Sequence, residues 1–340
     1  MAVKVAINGF GRIGRMTFRA LIESGRNDVE VVAINDLADP ASSLHLLKYD
    51  SVHGRLPVEA KLEGDMLIAG SQKAKMFAIR DPKDYPWKDL GIDIVFECTG
   101  IFTEREKAQV HLDAGAKRVL VSAPAKGADL TVVYGVNQDK ITSDMKVFSN
   151  ASCTTNCLAP VVAVLNEKFG ISHGYMTTIH SYTGDQVTLD RDLKGNLYRS
   201  RAAAQNIIPT TTGAAKAIGL VIPELAGKLD GASTRVPTAD VSLVDFKFVV
   251  KKDSVSADEI NNAIIEASKS ERLKGILCTN DEALVSSDFI HNPASSTFDL
   301  KETKVMEGNF VRIVSWYDNE WGFSNRMLDT AVAISKTINE

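Results

Sequence analysis

The chain has 340 residues and a net charge of −4, with 44% hydrophobic and 24% charged residues. This length suffices for two hydrophobic cores, and the slightly acidic balance offers no basic surface for nucleic acid or for an anionic membrane. No apolar run reaches the roughly 18–20 residues of a membrane helix, and no signal peptide is recognisable at the start, so we expect a cytoplasmic protein.

The amino-terminal segment has the order strand, glycine-rich turn, helix. An apolar run at residues 3–8 leads directly into the sequence Gly9-Phe-Gly-Arg-Ile-Gly14, after which a helical pattern begins at residue 15. In such a G-x-G-x-x-G fingerprint Gly9 forms a tight turn, Gly11 admits a pyrophosphate, and Gly14 lets the helix pack closely on the strand. The segment therefore predicts a dinucleotide site, with the phosphates at a helix N-terminus.

A second predicted strand, at residues 29–35, ends beside Asp36. An acidic residue at this distance from the glycine turn can bind the ribose hydroxyls and repel a 2′-phosphate, which favours NAD over NADP. Asp36 could instead cap the helix that is predicted to begin near Pro40.

Continuous apolar runs predict three further parallel strands, at residues 94–98, 118–122 and 131–134. Because loops at the carboxyl ends of such strands face the ligand, Thr99-Gly100 and Ser122 are candidate contacts. Short runs between residues 58 and 79 predict a small β excursion. Thr103, followed three residues later by Glu106, predicts a capping box at the start of a helix over residues 104–114.

Residues 149–160 place a cysteine at the start of the next predicted helix. The stretch reads Ser149-Asn-Ala-Ser-Cys153-Thr-Thr-Asn-Cys157-Leu-Ala-Pro160. Free N–H groups and the helix dipole favour a thiolate in a first turn, so Cys153 is a candidate nucleophile with a lowered pKa. Cys153 could also be a small buried hydrophobe, which is what we expect of Cys157. With only four irregularly spaced cysteines and no adjoining histidine cluster, neither a disulfide scaffold nor a metal site is expected.

The same stretch, read as Ser-x-x-Ser-Cys-Thr-Thr-Asn-x-Leu-Ala-Pro, resembles the active-site signature of the glyceraldehyde-3-phosphate dehydrogenase family. The similarity extends from Val3 to the last helix. It implies an α/β fold with a Rossmann-type dinucleotide-binding domain, residues 1–152 plus 320–340. An α+β catalytic domain with a large mixed sheet, residues 153–319, would contain an S-shaped loop at 181–208.

The resemblance also implies which residues lie along NAD. They are Asn8, Gly9, Gly11, Arg12, Ile13, Gly14, Asp36, Arg80, Thr99, Gly100, Ser122 and Asn319. For Arg80 an ordinary surface arginine remains the alternative, and for Asn319 a turn residue does.

A predicted strand over residues 173–182 carries His180. An imidazole within hydrogen-bond reach of a thiol can accept its proton and then act as general base and acid. A lone histidine is more often a packed or surface residue, but the family has its base in the same Thr-x-His-Ser-Tyr-Thr context. The resemblance therefore implies that His180 is the catalytic base beside Cys153.

Hydroxyl groups and arginines in the second half suggest two anion sites. Thr210-Thr-Thr-Gly213 precedes a predicted helix, and Arg235 is expected just before a strand. The resemblance implies a site for the phosphate of the substrate and a site for inorganic phosphate. The first would contain Thr183 and Arg235, and the second Ser152, Thr154, Thr212 and Gly213. Arg199 would bind the substrate or a phosphate. Taken singly, each of these could be a cap, a turn residue or part of a solvated basic loop.

The rest of the chain predicts a sheet backed by helices. Strong β runs occur at 241–250, 296–299 and 309–316, and a capping box of Ser256 and Glu259 predicts a helix over 257–270. A final helix is expected up to residue 338.

Two positions depart from the family pattern. Phe323 stands where the family often has Tyr, and Arg191-Asp192 stand where NAD-specific relatives usually have Leu-Pro. The second departure weakens the preference for NAD, so use of NADP stays open.

The resemblance implies a homotetramer that oxidises glyceraldehyde 3-phosphate to 1,3-bisphosphoglycerate with NAD and inorganic phosphate, through a hemithioacetal and a thioester on Cys153. Alternatives are a relative acting on erythrose 4-phosphate, an acyl-phosphate reductase, an NADP-using relative, and a dinucleotide-binding scaffold without catalysis. No binding of membranes or nucleic acid is predicted.

Overall fold

The computed structural model describes residues 2–338, which form two compact units. The chain passes from the first unit to the second between Ser152 and Cys153, and returns to the first between Phe323 and Ser324. Within the described residues, no helix has both the length and the apolarity needed to cross a membrane.

The first unit is of the Rossmann type. Its elements are β1 (Val3–Asn8), α1 (Arg12–Glu23), β2 (Val29–Asn35), α2 (Pro40–Lys48), β3 (Tyr49–Asp50), β4 (Gly54–Arg55), β5 (Ala60–Glu63), β6 (Met66–Ala69), β7 (Gln72–Phe77), β8 (Ile94–Glu97), α3 (Arg105–Asp113), β9 (Arg118–Val121), β10 (Leu130–Thr131) and β11 (Val147–Ser149). Nine of the strands form one sheet in the order β10-β11-β9-β8-β1-β2-β7-β6-β5.

Strand β1 lies at the centre of that sheet and runs parallel to both neighbours. Its last residue, Asn8, is in register with Asn35 at the end of β2 and with Glu97 at the end of β8. Parallel pairing therefore brings three polar side chains from distant parts of the sequence to one edge, next to the glycine turn.

The second unit has a mixed sheet backed by helices. Its elements are α4 (Cys153–Phe169), β12 (Ile171–Ser181), β13 (Ile208–Thr211), α5 (Ala214–Val221), β14 (Leu229–Val236), β15 (Ser242–Val250), α6 (Ala257–Ser268), β16 (Leu277–Asn280), β17 (Ser296–Asp299), β18 (Lys304–Met306) and β19 (Phe310–Tyr317). The sheet order is β13-β14-β12-β15-β19-β17-β16, with β18 paired to β19. The last helix, α7 (Trp321–Ser335), contains the second division between the units.

Helix α4 is buried from Thr154 to Leu165 without interruption. A helix that is enclosed on all sides holds its first turn in a fixed position. Pro160 lies inside this helix.

Several predicted elements are confirmed. Strands β2 and β17 have the expected bounds, and Ser256 with Glu259 forms the expected capping box at α6, which ends at residue 268.

Other expectations were wrong at the level of single residues. Thr103 does not cap α3, which begins at Arg105 after Glu104 and has no side-chain cap. Of residues 131–134 only Thr131 joins the sheet, because the Val133 N–H binds the Asn137 side chain in a turn. Arg235 lies inside β14 rather than before a strand.

Candidate active site

In the first unit, a cavity of about 490 Å³ opens at the carboxyl ends of β1, β2 and β8. It brings together six of the residues predicted to bind the dinucleotide, namely Asn8, Gly9, Gly11, Asp36, Arg80 and Thr99. The other predicted contacts of this unit, Arg12, Ile13, Gly14, Gly100 and Ser122, do not line it. The guanidinium of Arg12 pairs with Asp50 instead.

Glycine is needed for a different reason at each of the three positions in the turn. Gly9 has a φ of +93°, and a Cβ there would lie 2.7 Å from the Thr99 nitrogen. A Cβ on Gly14 would lie 2.1 Å from the Gly9 oxygen, whereas a Cβ on Gly11 would meet nothing within 4 Å. The space above Gly11 and the uncapped start of α1 fit a pyrophosphate that receives free backbone N–H groups.

Asp36 is tied to the glycine turn. Its carboxylate accepts hydrogen bonds from the backbone N–H groups of Phe10 and Ala38. The cap of α2 is Asp39, which accepts from the Ser42 N–H at 3.0 Å. The alternative role of Asp36 as that cap was therefore wrong, and its carboxylate lines the cavity.

In the second unit, the thiol of Cys153 lies 3.6 Å from Nε2 of His180. Cys153 is the first residue of α4, and His180 lies near the end of β12. Nδ1 of His180 is 2.8 Å from the Ser181 carbonyl oxygen, which can only accept, so Nδ1 carries the proton. Nε2 therefore faces the thiol as an acceptor.

Burial acts against a separate charge on either group. Burial, together with the nearby positive charge of Arg235, lowers the pKa of His180 to about 3. Burial also raises the pKa of the Cys153 thiol, although Arg235 and the hydroxyl and N–H groups of Thr154 favour the thiolate. The expected lowering of this pKa at the helix start is wrong for the free site, because burial outweighs the local helix effect. Both groups are therefore uncharged in this structure, with the thiol next to the unprotonated Nε2.

Tyr317 packs against His180 and contacts Thr154, the residue that follows Cys153. No role was predicted for Tyr317 from the sequence. Its hydroxyl lies 2.8 Å from Oγ1 of Thr154 and 2.9 Å from Oγ1 of Thr178, and its ring meets the edge of His180 at 5.9 Å. Burial raises its pKa well above the usual value, so the hydroxyl stays protonated. The only sequence signal was its position at a strand end, one residue before Asp318-Asn319.

One group of anion-binding side chains lies next to His180, because Arg235 is its partner in the register of β12 and β14. Nη1 of Arg235 donates to the Ser181 carbonyl at 3.0 Å and to Oγ1 of Thr183 at 2.9 Å. Arg199 is held by Asp185 at 2.7 Å. Among the described residues, Nε of both arginines and Nε2 of Gln186 are buried without a partner. These donors suit an anion; Asp185 and Gln186 were not foreseen from the sequence.

A second group lies where α4 and α5 begin. Gly213 is the N-cap residue that precedes α5, and the Ala214 N–H donates to Oγ1 of Thr212 at 3.1 Å. The Thr155 hydroxyl donates to the Ala214 carbonyl at 3.4 Å, which links the two helix starts. A Cβ on Gly213 would meet nothing within 4 Å, so this surface is open. Of the predicted phosphate ligands, Thr154 lies in this unit and Ser152 in the first.

Asn319 is fixed by two serines. Its Oδ1 accepts from the hydroxyls of Ser181 at 2.9 Å and Ser242 at 2.8 Å. It is therefore more than a turn residue, and its amide is oriented from two strands. Arg191 and Asp192 are exposed in the loop between β12 and β13.

Comparison with known proteins matches both halves of the chain. The family description "Glyceraldehyde 3-phosphate dehydrogenase, NAD binding domain" matches residues 3–105, and "Glyceraldehyde 3-phosphate dehydrogenase, C-terminal domain" matches residues 152–319. Similar proteins named glyceraldehyde-3-phosphate dehydrogenase occur in Xanthobacter flavus, with 65% identity over 99% of both chains, and in Cereibacter sphaeroides, with 59% identity over 99% of this chain and all of the relative. A relative from Geobacillus stearothermophilus is 54% identical over 98% of this chain and 99% of its own.

The glycine geometry predicts opposite effects for two alanine substitutions. Gly14→Ala should lower the free energy of unfolding by about 1–3 kcal/mol, because the new methyl group collides with backbone. Gly11→Ala should cost less than about 1 kcal/mol yet weaken NAD binding at least tenfold, since its methyl group enters open space. Urea unfolding and fluorescence titration with NAD measure the two effects. Equal loss of stability in both variants would contradict this account.

The thiol–imidazole contact predicts the reactivity of Cys153. His180→Asn should slow alkylation of Cys153 by iodoacetamide about tenfold or more at pH 7, because the proton acceptor is lost. The difference should vanish as the pH rises through the raised pKa of the thiol, where hydroxide removes the proton.

Peptide mapping by mass spectrometry identifies the alkylated cysteine. Cys157→Ser is the matched control and should keep wild-type labelling, because Cys157 is buried and burial raises its pKa to about 12. Wild-type labelling rates in His180→Asn at pH 7 would show that the imidazole does not activate the thiol.

Proposed function

Because the chain belongs to the glyceraldehyde-3-phosphate dehydrogenase family, we propose that it oxidises glyceraldehyde 3-phosphate with NAD and inorganic phosphate to give 1,3-bisphosphoglycerate. The observation that carries the proposal is the 3.6 Å contact between the Cys153 sulfur and Nε2 of His180. Two groups of anion-binding side chains in the same unit support a reaction that uses two phosphates.

The first step forms a carbon–sulfur bond. The sulfur of Cys153 attacks the aldehyde carbon while Nε2 of His180 accepts the thiol proton and passes it to the carbonyl oxygen, which gives a hemithioacetal. The backbone N–H of Cys153, in the first turn of α4, has no intrahelical partner and can stabilise the developing oxyanion. An uncharged imidazole is the protonation state that this step needs.

Oxidation then converts the hemithioacetal to a thioester. NAD, when bound, supplies the acceptor for the hydride that leaves this carbon. His180 takes the hydroxyl proton as the carbonyl forms, so that it acts as a base again. An oxygen of inorganic phosphate then attacks the thioester carbon and the carbon–sulfur bond breaks. The leaving sulfur takes the proton that His180 holds, which regenerates the thiol and the uncharged imidazole.

The two anion groups suit different phosphates. We assign the substrate phosphate to Thr183, Arg199 and Arg235, because buried unpaired N–H groups lie there beside the catalytic histidine. We assign the attacking phosphate to Thr154, Thr212 and Gly213 of the second unit, since the start of α5 offers open N–H groups.

The cofactor is NAD, for which the residues of the first unit are suited. Asn8, Gly9, Gly11, Asp36, Arg80 and Thr99 would hold it, because they line the cavity beside the free helix start. The Asp36 carboxylate at the cavity wall disfavours a 2′-phosphate, so we propose a preference for NAD over NADP. The exposed pair Arg191-Asp192 does not supply the Leu-Pro of NAD-specific relatives, and Asp36 is then the main discriminating residue.

We further propose that the protein is a cytoplasmic homotetramer. The loop between β12 and β13 exposes four large apolar side chains, Leu189, Leu197, Tyr198 and Ile207. Such a concentration on one surface loop is typical of an interface between subunits.

Steady-state assays test the activity. With glyceraldehyde 3-phosphate and NAD, formation of NADH should depend on inorganic phosphate, and Cys153→Ser should lose at least about 10³-fold in rate because the nucleophile is gone. The rate with NADP in parallel should be lower. A phosphate-independent rate, or better turnover of erythrose 4-phosphate, would instead favour a different member of the superfamily, and full activity of Cys153→Ser would refute the mechanism.

The two phosphates predict two separable defects. Arg235→Lys should raise KM for the aldehyde about tenfold or more, since it loses the fork geometry of the guanidinium, and should leave KM for inorganic phosphate within twofold. Thr212→Ala should do the reverse. If both substitutions raise the same KM, the assignment of the two sites is wrong.

A further inference from the structure

A buried carboxylate lies behind the cavity of the first unit. Glu97 is the last residue of β8 and is only 1% exposed. It does not line the cavity, but two of its hydrogen-bond partners, Asn8 and Thr99, do. No role was predicted for it from the sequence.

Four donors converge on this carboxylate. Oε2 accepts from Nδ2 of Asn8 at 2.7 Å and lies 2.8 Å from Nε2 of His111. Oε1 accepts from the backbone N–H of Thr99 at 2.8 Å and from the Thr99 hydroxyl. A buried carboxylate is tolerated when its oxygens accept hydrogen bonds in this way. Because all four neighbouring groups donate, the side chain at position 97 must be one that only accepts hydrogen bonds.

The protonation of His111 follows from its other neighbour. The side chain of His111 is fully buried in α3, and its Nδ1 lies 3.2 Å from Nε1 of Trp87. An indole N–H can only donate, so Nδ1 of His111 is unprotonated and Nε2 carries the hydrogen that points at Glu97. Stacking on Tyr85 at 5.4 Å and an edge contact with Phe102 at 5.5 Å hold the ring in place.

The carboxylate joins both sides of the glycine turn. Asn8 precedes Gly9, and its Oδ1 accepts from Asn35 at 2.8 Å, which fixes the amide from both sides. Thr99 packs so closely on Gly9 that a Cβ there would lie 2.7 Å from its nitrogen. Glu97 is therefore the acceptor that Asn8 and Thr99 share.

We propose that Glu97, oriented by the Nε2–H form of His111 under the Trp87 indole, is a positioning residue that presets the dinucleotide-binding turn for NAD. The inference rests on the proposed function, because it assumes that NAD occupies this cavity. It assigns no chemical step to Glu97, which acts through Asn8 and Thr99.

Glu97→Gln tests the requirement for an acceptor at nearly constant volume. The amide would turn its NH₂ toward at least one of the existing donors. The Kd for NAD, measured by fluorescence titration, and KM for NAD should rise about tenfold or more. By contrast, kcat at saturating NAD and the alkylation rate of Cys153 should stay within twofold, because the second unit is untouched. Asp93→Asn is the matched control. Asp93 immediately precedes the same strand, accepts a hydrogen bond from the Lys4 N–H at 2.9 Å, and does not line the cavity. The affinity of Asp93→Asn for NAD should be unchanged.

Trp87→Phe distinguishes the proposed positioning role of Glu97 from a merely structural one. Without the indole N–H, His111 can move its proton to Nδ1 and accept from the new amide through Nε2. In the Trp87→Phe background, Glu97→Gln should therefore weaken NAD binding at least threefold less than in the wild-type background. Additive losses would overturn the proposal.

A spectroscopic measurement on the unaltered protein covers the case in which the variants fail to fold. In histidine-labelled wild-type protein, the ring of His111 can be assigned through its contact with the Trp87 indole, and its ¹⁵N shifts should show Nε2 protonated and Nδ1 unprotonated. Protonation at Nδ1 would overturn the inference. If wild-type protein does not bind NAD, the proposed function fails; if it binds NAD and Glu97→Gln binds equally well, only the positioning role fails.

Discussion

The proposed mechanism depends on one contact, the hydrogen bond between the Cys153 thiol and Nε2 of His180. Neither residue would be reactive alone in this environment, because burial opposes a thiolate on one and an imidazolium on the other. When the proton passes from the thiol to the imidazole, a thiolate and an imidazolium form side by side. Neither charge is then buried alone. The carbonyl of Ser181 fixes the tautomer of His180, because it accepts a hydrogen bond from Nδ1–H and leaves Nε2 unprotonated and able to accept the thiol proton.

Strand register is the physical device that assembles both functional regions. In the second unit, pairing of β12 with β14 places His180 opposite Arg235, which brings the imidazole next to a guanidinium. In the first unit, pairing of β1 with β2 and β8 aligns Asn8 with Asn35 and Glu97. In each case polar side chains far apart in sequence meet at the end of parallel strands, where a ligand can approach them.

Several local features were predictable from the sequence, although the capping box expected at Thr103 is not formed, and features that depend on packing were not predictable. The glycine turn, the first-turn position of Cys153 and the capping box of α6 involve residues within a few positions of one another, and all are present. The bracing hydroxyl of Tyr317 and the carboxylate of Glu97 act on residues that only register brings near. The pKa of Cys153 was misjudged for the same reason, because a helix start is visible in sequence and the burial around it is not.

The most direct test of the account is to trap the acyl group on the enzyme. Wild-type protein mixed with glyceraldehyde 3-phosphate and NAD in the absence of inorganic phosphate, then acid-quenched, should form one NADH per subunit. It should also carry one 3-phosphoglyceroyl thioester, located at Cys153 by mass spectrometry of peptides and released when phosphate is added before the quench. Formation of NADH without this adduct, or an adduct on another cysteine, would contradict the role assigned to the Cys153–His180 pair.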